Sequence, residues 1–247
     1  SGQKISLERK GEGIPRRSYA LMQKLLPSLR GDEAWEVHDM LLIKYSKAGA
    51  MRYISHIDLL RHMTRILRRA EIRPEFSKGF NPHMLLYFSP PLALGLESEA
   101  EYLTVVTNES YSDAVERFNM AAPNGLRAIK AAEVAKNPNL QAAVAAADYF
   151  YPYPASVFSN PFEFSVTVGK KNDGAMDVLG ERLIAVKEMD GGCVATLKAG
   201  AGAIRPDAIL SALSEKYGES DKIVRKTAQY IEINGELKSV DLVYFNE

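Results

Sequence analysis

The residues of this chain best suited to chemistry are arginines at helical spacing, followed by a short loop that holds a lysine, a glycine, an aromatic and a histidine. Arg61, Arg65 and Arg68 fall at i, i+4 and i+7, with His62 and Arg69 beside them and no acid between Asp58 and Glu71. That spacing lines the guanidinium groups along one helical face. A planar guanidinium presents a fork of N–H donors that matches two phosphate oxygens at once, so arginine throughout favours phosphate contact over a merely solvated face. The loop Ser77-Lys78-Gly79-Phe80-Asn81-Pro82-His83 comes next. Gly79 opens backbone conformations that other residues avoid, Asn81-Pro82 favours a turn, and Phe80 offers a ring on which a base can stack. The candidate ligand- or RNA-binding residues are therefore Arg52, Arg61, Arg65, Arg68, Arg69, Lys78, Gly79, Phe80, Asn81 and His83. Arg205, after the Gly200 and Gly202 turn, joins them as an arginine at a helix start. The competing structural reading makes the arginines snorkelling surface residues and Phe80 the buried anchor of a turn.

Charge supports this location. The chain carries 31 Lys+Arg and 31 Asp+Glu, a formal net charge of zero. Residues 41–83 nevertheless hold nine basic side chains against three acids, a surplus of +6 that the remainder of the chain offsets. A local excess of this size attracts phosphate even when the whole protein is neutral.

Other chemistries find less support. Ser55-His56-Ile57-Asp58 fits the S-x-x-[DE] pattern of a helix N-cap, which accounts for Ser55 and Asp58 structurally. His56 is the candidate general base if the chain cleaves RNA, with Lys78 steadying the charged transition state. No nucleophile elbow, triad or G-x-x-x-x-G-K-[ST] loop is present. A lone Cys193 excludes an intrachain disulfide framework, and a cysteine-ligated zinc or iron–sulfur site would need several thiolates. Cys193 is expected to be a buried small hydrophobe, and no metal or cofactor of the chain's own is expected. Scarce cysteine suits a reducing compartment, so the expected location is cytoplasmic, and no apolar run is long enough to span a bilayer.

The elements that must position these residues follow from periodicity. Residues 1–39 read as an N-terminal extension and linker, with a short amphipathic stretch from Tyr19 to Leu26 and Trp35 beyond it. Leu41–Tyr45 predicts a strand. Ile57, Leu60, Met63 and Leu67, widened by Leu59, Ile66 and Ala70, predict an amphipathic helix that Pro74 ends. Strands are expected at Met84–Phe88 and Glu99–Thr107, a helix at Tyr111–Met120 and a strand at Leu126–Val134. This is a βαββαβ order over residues 40–135. Residues 136–161 read as a connection containing an Ala-rich helix. A strand from Phe162 to Val168, a hairpin over Leu183–Met189 and Val194–Leu197, a helix at Pro206–Tyr217 and a strand at Ile223–Ile233 complete residues 136–247. The expected fold class is α+β: two ferredoxin-like halves, the second degenerate because Lys170–Gly180 is too short and Gly-rich for its first helix.

Four segments carry a family resemblance: Leu42-Ile43-Lys44-Tyr45-Ser46-Lys47-Ala48-Gly49, Arg52-Tyr53-Ile54-Ser55-His56-Ile57-Asp58-Leu59-Leu60-Arg61, Ser77 to His83, and Pro91-Leu92-Ala93-Leu94-Gly95-Leu96-Glu97-Ser98-Glu99. Lys198-Ala199-Gly200, Ile204-Arg205-Pro206-Asp207 and Arg225-Lys226-Thr227 add to it. Together they resemble the radical SAM-linked protein family, a bacterial domain of unknown function found beside or fused to a radical SAM protein. The resemblance spans Met40 to Ile233. It implies a radical SAM partner and a link to RNA processing, and it implies no catalytic residues.

The expected function is thus a non-catalytic accessory module of the cytoplasm that binds RNA (tRNA or rRNA) or another phosphate ligand and acts with a radical SAM protein. Two alternatives remain at this stage: a metal-independent endoribonuclease using His56, and an adaptor that docks the radical SAM subunit through the basic face.

Overall fold

The computed structural model describes residues 40–168, 175–220 and 223–245. The expected N-terminal extension, with Tyr19–Leu26 and Trp35, lies outside them, as does part of the Gly-rich stretch after Lys170. The described chain is mixed α/β, with one large sheet and few helices. Its strands are β1 (Met40–Lys47), β2 (Leu86–Phe88), β3 (Glu97–Val106), β4 (Leu126–Val134), β5 (Val144–Tyr151), β6 (Ser165–Val168), β7 (Ala175–Val178), β8 (Leu183–Met189), β9 (Gly192–Lys198), β10 (Arg225–Ile233) and β11 (Glu236–Ser239). Its helices are α1 (His56–Arg69), α2 (Ala114–Ala121), the single turn α3 (Leu140–Ala143), α4 (Pro206–Tyr217) and α5 (Val240–Tyr244). None of these helices is long and apolar enough to cross a membrane.

The nine-stranded sheet runs β4-β1-β3-β10-β5-β9-β8, with β2 also on β3 and β11 also on β10. Its pairs are antiparallel except β3 with β10, which is parallel and joined by two register pairs, Arg225 with Glu97 and Lys226 with Ser98. Each part of the sheet places its strands in the order last, first, third, second: β4-β1-β3-β2, then β10-β5-β9-β8. Leu41, Leu42 and Ile43 of β1 are buried on both faces, which is why this strand reads as a continuous apolar run and not an alternating one.

Local sequence explains α1 closely. The Ser55 hydroxyl caps it, accepting the Asp58 N–H at 3.1 Å. The helix stops before Pro74, because Glu71 takes a left-handed conformation (φ 55°). The Ile72 N–H then reaches the Leu67 carbonyl at 3.0 Å and the Glu71 N–H reaches Arg68 at 3.3 Å, a Schellman closure with Glu where glycine is usual. The buried stripe is Leu59, Met63, Ile66, Leu67 and Ala70, whereas Ile57 and Leu60, expected on it, are exposed. The stripe is therefore centred on the Leu59–Met63–Ile66 row, and Arg61, Arg65 and Arg68 lie opposite it.

Two expectations in the second part fail. The Ala-rich helix shrinks to α3, and Val144–Tyr151 becomes β5, paired with β10 on one edge and β9 on the other. Ala favours helix by intrinsic propensity, but a strand with neighbours on both sides gains two ladders, and its Ala146 and Ala147 fit buried positions. The strand expected from Phe162 to Val168 does not enter the large sheet either. β6 pairs with β7 in a separate two-stranded sheet, and β5 holds the place expected for it.

The core is divided. One apolar cluster packs α1 and α2 on β1, β3 and β4; a second packs α4 on β9 and the residues around Tyr151; a third, including Leu42, Tyr102 and Ile231, lies under α3 and α5. Cys193 is buried in the second cluster, and burial pushes its thiol up to about 11, which leaves it protonated and inert at neutral pH.

Candidate functional site

The expected site residues separate to the two ends of α1. A helix of 14 residues is about 21 Å long at 1.5 Å per residue. Arg52, Ser55 and His56 stand at its N-terminal end; Arg68, Arg69 and the Ser77–His83 loop stand at the other.

The loop end is exposed and loosely tied. Phe76 bridges Met84 at the base of the loop, and the Glu75 N–H binds the Val106 carbonyl at the end of β3. The Ser77 hydroxyl contacts His83 Nδ1 at 2.8 Å and accepts the His83 N–H at 3.1 Å, so His83 closes the loop. Beyond that closure Phe80 is fully exposed, contrary to the buried-anchor reading. Gly79 holds φ at 130°, which favours glycine, although a side chain there would meet open space. Asn81 and Lys78 are exposed on either side. Arg65 and Arg68 are exposed, and neither makes an ion pair among the described residues.

The rest of the basic run is neutralised or structural. Lys44 pairs with Asp241 at 2.5 Å, Arg61 with Asp58 at 2.9 Å, Arg73 with Glu109 at 3.3 Å and Arg52 with Glu97 at 3.7 Å. Arg69 donates to the Ala121 carbonyl at 2.6 Å, satisfying an end carbonyl of α2. The side chains of Ser55 and Arg61 both donate to the Asp58 carboxylate and hold it below the usual carboxylate range. Arg205 is bound bidentately by Asp207, at 2.5 and 3.1 Å, at the start of α4. The +6 surplus read from residues 41–83 is therefore not one surface.

The opposite end holds a site that the sequence reading passed over. β3 forks there: β10 pairs with it at Glu97 and Ser98, and β2 takes the same edge from Leu103 to Val105. Polar side chains fill the fork in place of a backbone ladder. Gln229 Nε2 donates to the Ala100 carbonyl at 2.5 Å and to Ser89 Oγ at 3.1 Å, leaving its Oε1 buried with no partner. Lys226 Nζ meets Glu101 Oε1 at 2.8 Å. Burial alone would depress the Lys226 ammonium, but Glu101 and Tyr149 outweigh it and raise its pKa. Lys47 lies nearby, also buried, with its Nζ on the Ile54 carbonyl at 3.3 Å. Buried Tyr45, Lys47, Leu59, Ser89 and Glu101 form the base of a small cavity, and the less buried Pro91, Leu92, His56 and Phe88 form its rim. The last two rings meet edge to face at 5.1 Å.

His56 and Lys78 consequently do not meet. His56 touches Phe88, which lies four residue steps, about 13 Å of extended chain, from Met84 at the loop's base. They cannot act on one phosphate as general base and charge stabiliser. Among the described residues, no group of three His, Cys, Asp or Glu side chains is placed to hold a metal ion. Lys47, Glu101 and Lys226 did leave a signal in the sequence. Lys47 continues the inward row Leu41, Ile43, Tyr45; Glu101 shares the row of Leu103 and Val105; Lys226 shares that of Val224. A charge at an inward position of a buried strand marks a polar site.

No match is found among curated proteins. Residues 40–187 match a protein family described as an uncharacterized protein conserved in bacteria, DUF2344. That match starts at the first residue of β1, takes in both ends of α1, and stops within β8. It leaves Lys226 and Arg205 outside. It covers more than half of the 247 residues, and the chain belongs to this family.

Proposed function

We propose that the chain is a non-catalytic accessory module that binds RNA, tRNA or rRNA, or another phosphate ligand, and acts in the cytoplasm with a radical SAM partner. The observation that carries this reading is Phe80, fully exposed at a loop tip beside Lys78, at the end of α1 that also carries Arg68, with Arg65 one turn back. An aromatic ring held in water has no folding use, whereas a base can stack on it while nearby cations meet the backbone phosphates. The radical SAM partner is supported by the resemblance of the Leu42–Gly49, Arg52–Arg61, Ser77–His83 and Pro91–Glu99 segments. With one cysteine, the chain supplies no cysteine set for a cluster, so radical chemistry would belong to that partner.

We propose further that the described chain consists of two ferredoxin-like halves joined through β3 and β10. It is supported by the repeated strand order, last-first-third-second, in each part of the sheet. The second half is degenerate in that β6 and β7 stand where the first half has α1.

The test is what leaves the cell with the chain. Co-purifying RNA at low salt, shed at about 0.5 M salt where the Debye length is roughly 4 Å, is the expected result. A chain that carries no nucleic acid and shows no salt-sensitive binding to tRNA or rRNA fragments overturns the reading. A polypeptide retained at high salt in place of RNA favours the adaptor.

A further inference from the structure

Lys47, Glu101 and Lys226 are 3%, 3% and 2% exposed, so two ammonium groups and one carboxylate are buried within one fork of the sheet. Lys226 and Glu101 satisfy each other at 2.8 Å. Lys47 is left over: among the described residues no carboxylate lies within ion-pair distance of its Nζ, and one acceptor, the Ile54 carbonyl at 3.3 Å, serves its three N–H donors. A buried charge without a counter-charge is costly, and proteins relieve it by neutralising the group or by pairing it. Lys47 also lines the cavity beneath His56, together with Ser89 and Tyr45. The cavity volume is about 10 Å³, room for roughly one water-sized group. His56 and Pro91 on its rim are exposed, which leaves the base within reach of solvent.

We propose that this cavity is a second ligand site, in which Lys47 at the base and His56 at the rim bind the oxyanion head, carboxylate or phosphate, of a small molecule or terminal group. The charge count selects an anion: the fork holds +1 before any ligand enters, and Glu101 is already engaged by Lys226. The size selects a head group, since the base accepts about one oxygen and the remainder of the ligand must lie outside, against Pro91 and Leu92. Burial lowers the pKa of Lys47; Glu101 opposes that shift and Lys226 adds to it. A bound anion restores the charged form. This site is independent of the RNA surface, because it lies at the other end of α1 and uses none of Arg65, Arg68 or Phe80.

The experiment uses the full chain, labelled with ¹⁵N at the lysine Nζ, and titrates the Lys47 signal in chloride, inorganic phosphate and acetate at matched ionic strength. The expected result is a saturable rise in the Lys47 pKa with acetate, phosphate or both, and a rise in the denaturation midpoint with the same probe. Response to acetate alone assigns a carboxylate ligand, and response to phosphate alone a phosphate ligand. Lys47→Met is expected to raise at least tenfold the anion concentration needed for the midpoint rise, while Arg65→Glu with Arg68→Glu leaves the Lys47 titration unchanged. If Lys47→Met does not fold, the wild-type lysine signal still decides, since it reads the group itself. A Lys47 that titrates identically in all three salts overturns the proposal, as does a Lys47→Met protein whose denaturation midpoint rises with the same anion as much as the wild type's.

Discussion

The two ends of α1 carry the same kind of charge and use it differently. At the N-terminal end, cations are drawn into the protein: Arg52 onto Glu97, Lys226 onto Glu101, and Lys47 into the fork between β2, β3 and β10. At the C-terminal end, Arg65, Arg68 and Lys78 stay in water beside an unburied Phe80. A run of basic residues in a sequence thus does not say whether the charge is spent inside the fold. The first end is costly to disturb and contributes to the architecture; the second is nearly free to change and is available to a partner.

Breaking the buried end should have the largest effect. Glu101→Gln leaves Lys226 and Lys47 buried without a carboxylate and is expected to cost about 3–5 kcal/mol in urea unfolding. A loss under about 1 kcal/mol would mean that water or another side chain replaces Glu101 as the partner of Lys226. At the exposed end the sign of the comparison reverses. Phe80→Ala should leave the unfolding midpoint unchanged, because the ring is fully exposed. Its RNA affinity should fall by about 1–3 kcal/mol, the range for one stacked base. An unfolding midpoint that drops with Phe80→Ala would place the ring in packing instead.

Smaller effects sharpen the contrast. Glu71 closes α1 in a left-handed conformation, so Glu71→Gly is expected to stabilise by about 1 kcal/mol while changing no buried contact. Lys47 supplies a pH dependence with a definite sign. Its pKa is lowered in the fold, chiefly by burial, so the unfolded chain holds that proton more tightly. Its contribution to stability therefore rises with pH between the lowered folded value and the ordinary lysine value, and it is absent below both. Unfolding curves of Lys47→Met, compared with the wild type across that alkaline window, should lack this rise.

Much of the first part of the sheet was legible because local signals and tertiary context agree there. Leu126–Val134 forms the strand that its pattern predicts, and Ser55 caps α1 as its spacing implies. The second part was harder. Residues 142–147 are almost all alanine, a helix former on its own, and the ladders to β9 and β10 make 144–147 a strand. The candidate site was legible as a list of exposed residues and illegible as geometry. Of that geometry, the Asp58–Arg61 and Arg205–Asp207 pairs, three and two residues apart, were within reach of local spacing, whereas Lys47, Glu101 and Lys226 meet only because three strands from distant positions share one fork.

The measurement closest to the central claim is the salt dependence of tRNA binding by three proteins: wild type, Arg65→Glu with Arg68→Glu, and Lys47→Met. Each phosphate contact contributes roughly 0.7–0.9 to the slope of log K against log salt. The double variant should lose about 1.4–1.8 from the magnitude of that slope, and its affinity should fall at least tenfold, while Lys47→Met keeps the wild-type slope. A double variant that binds tRNA with the wild-type slope would contradict the assignment of recognition to the exposed end of α1.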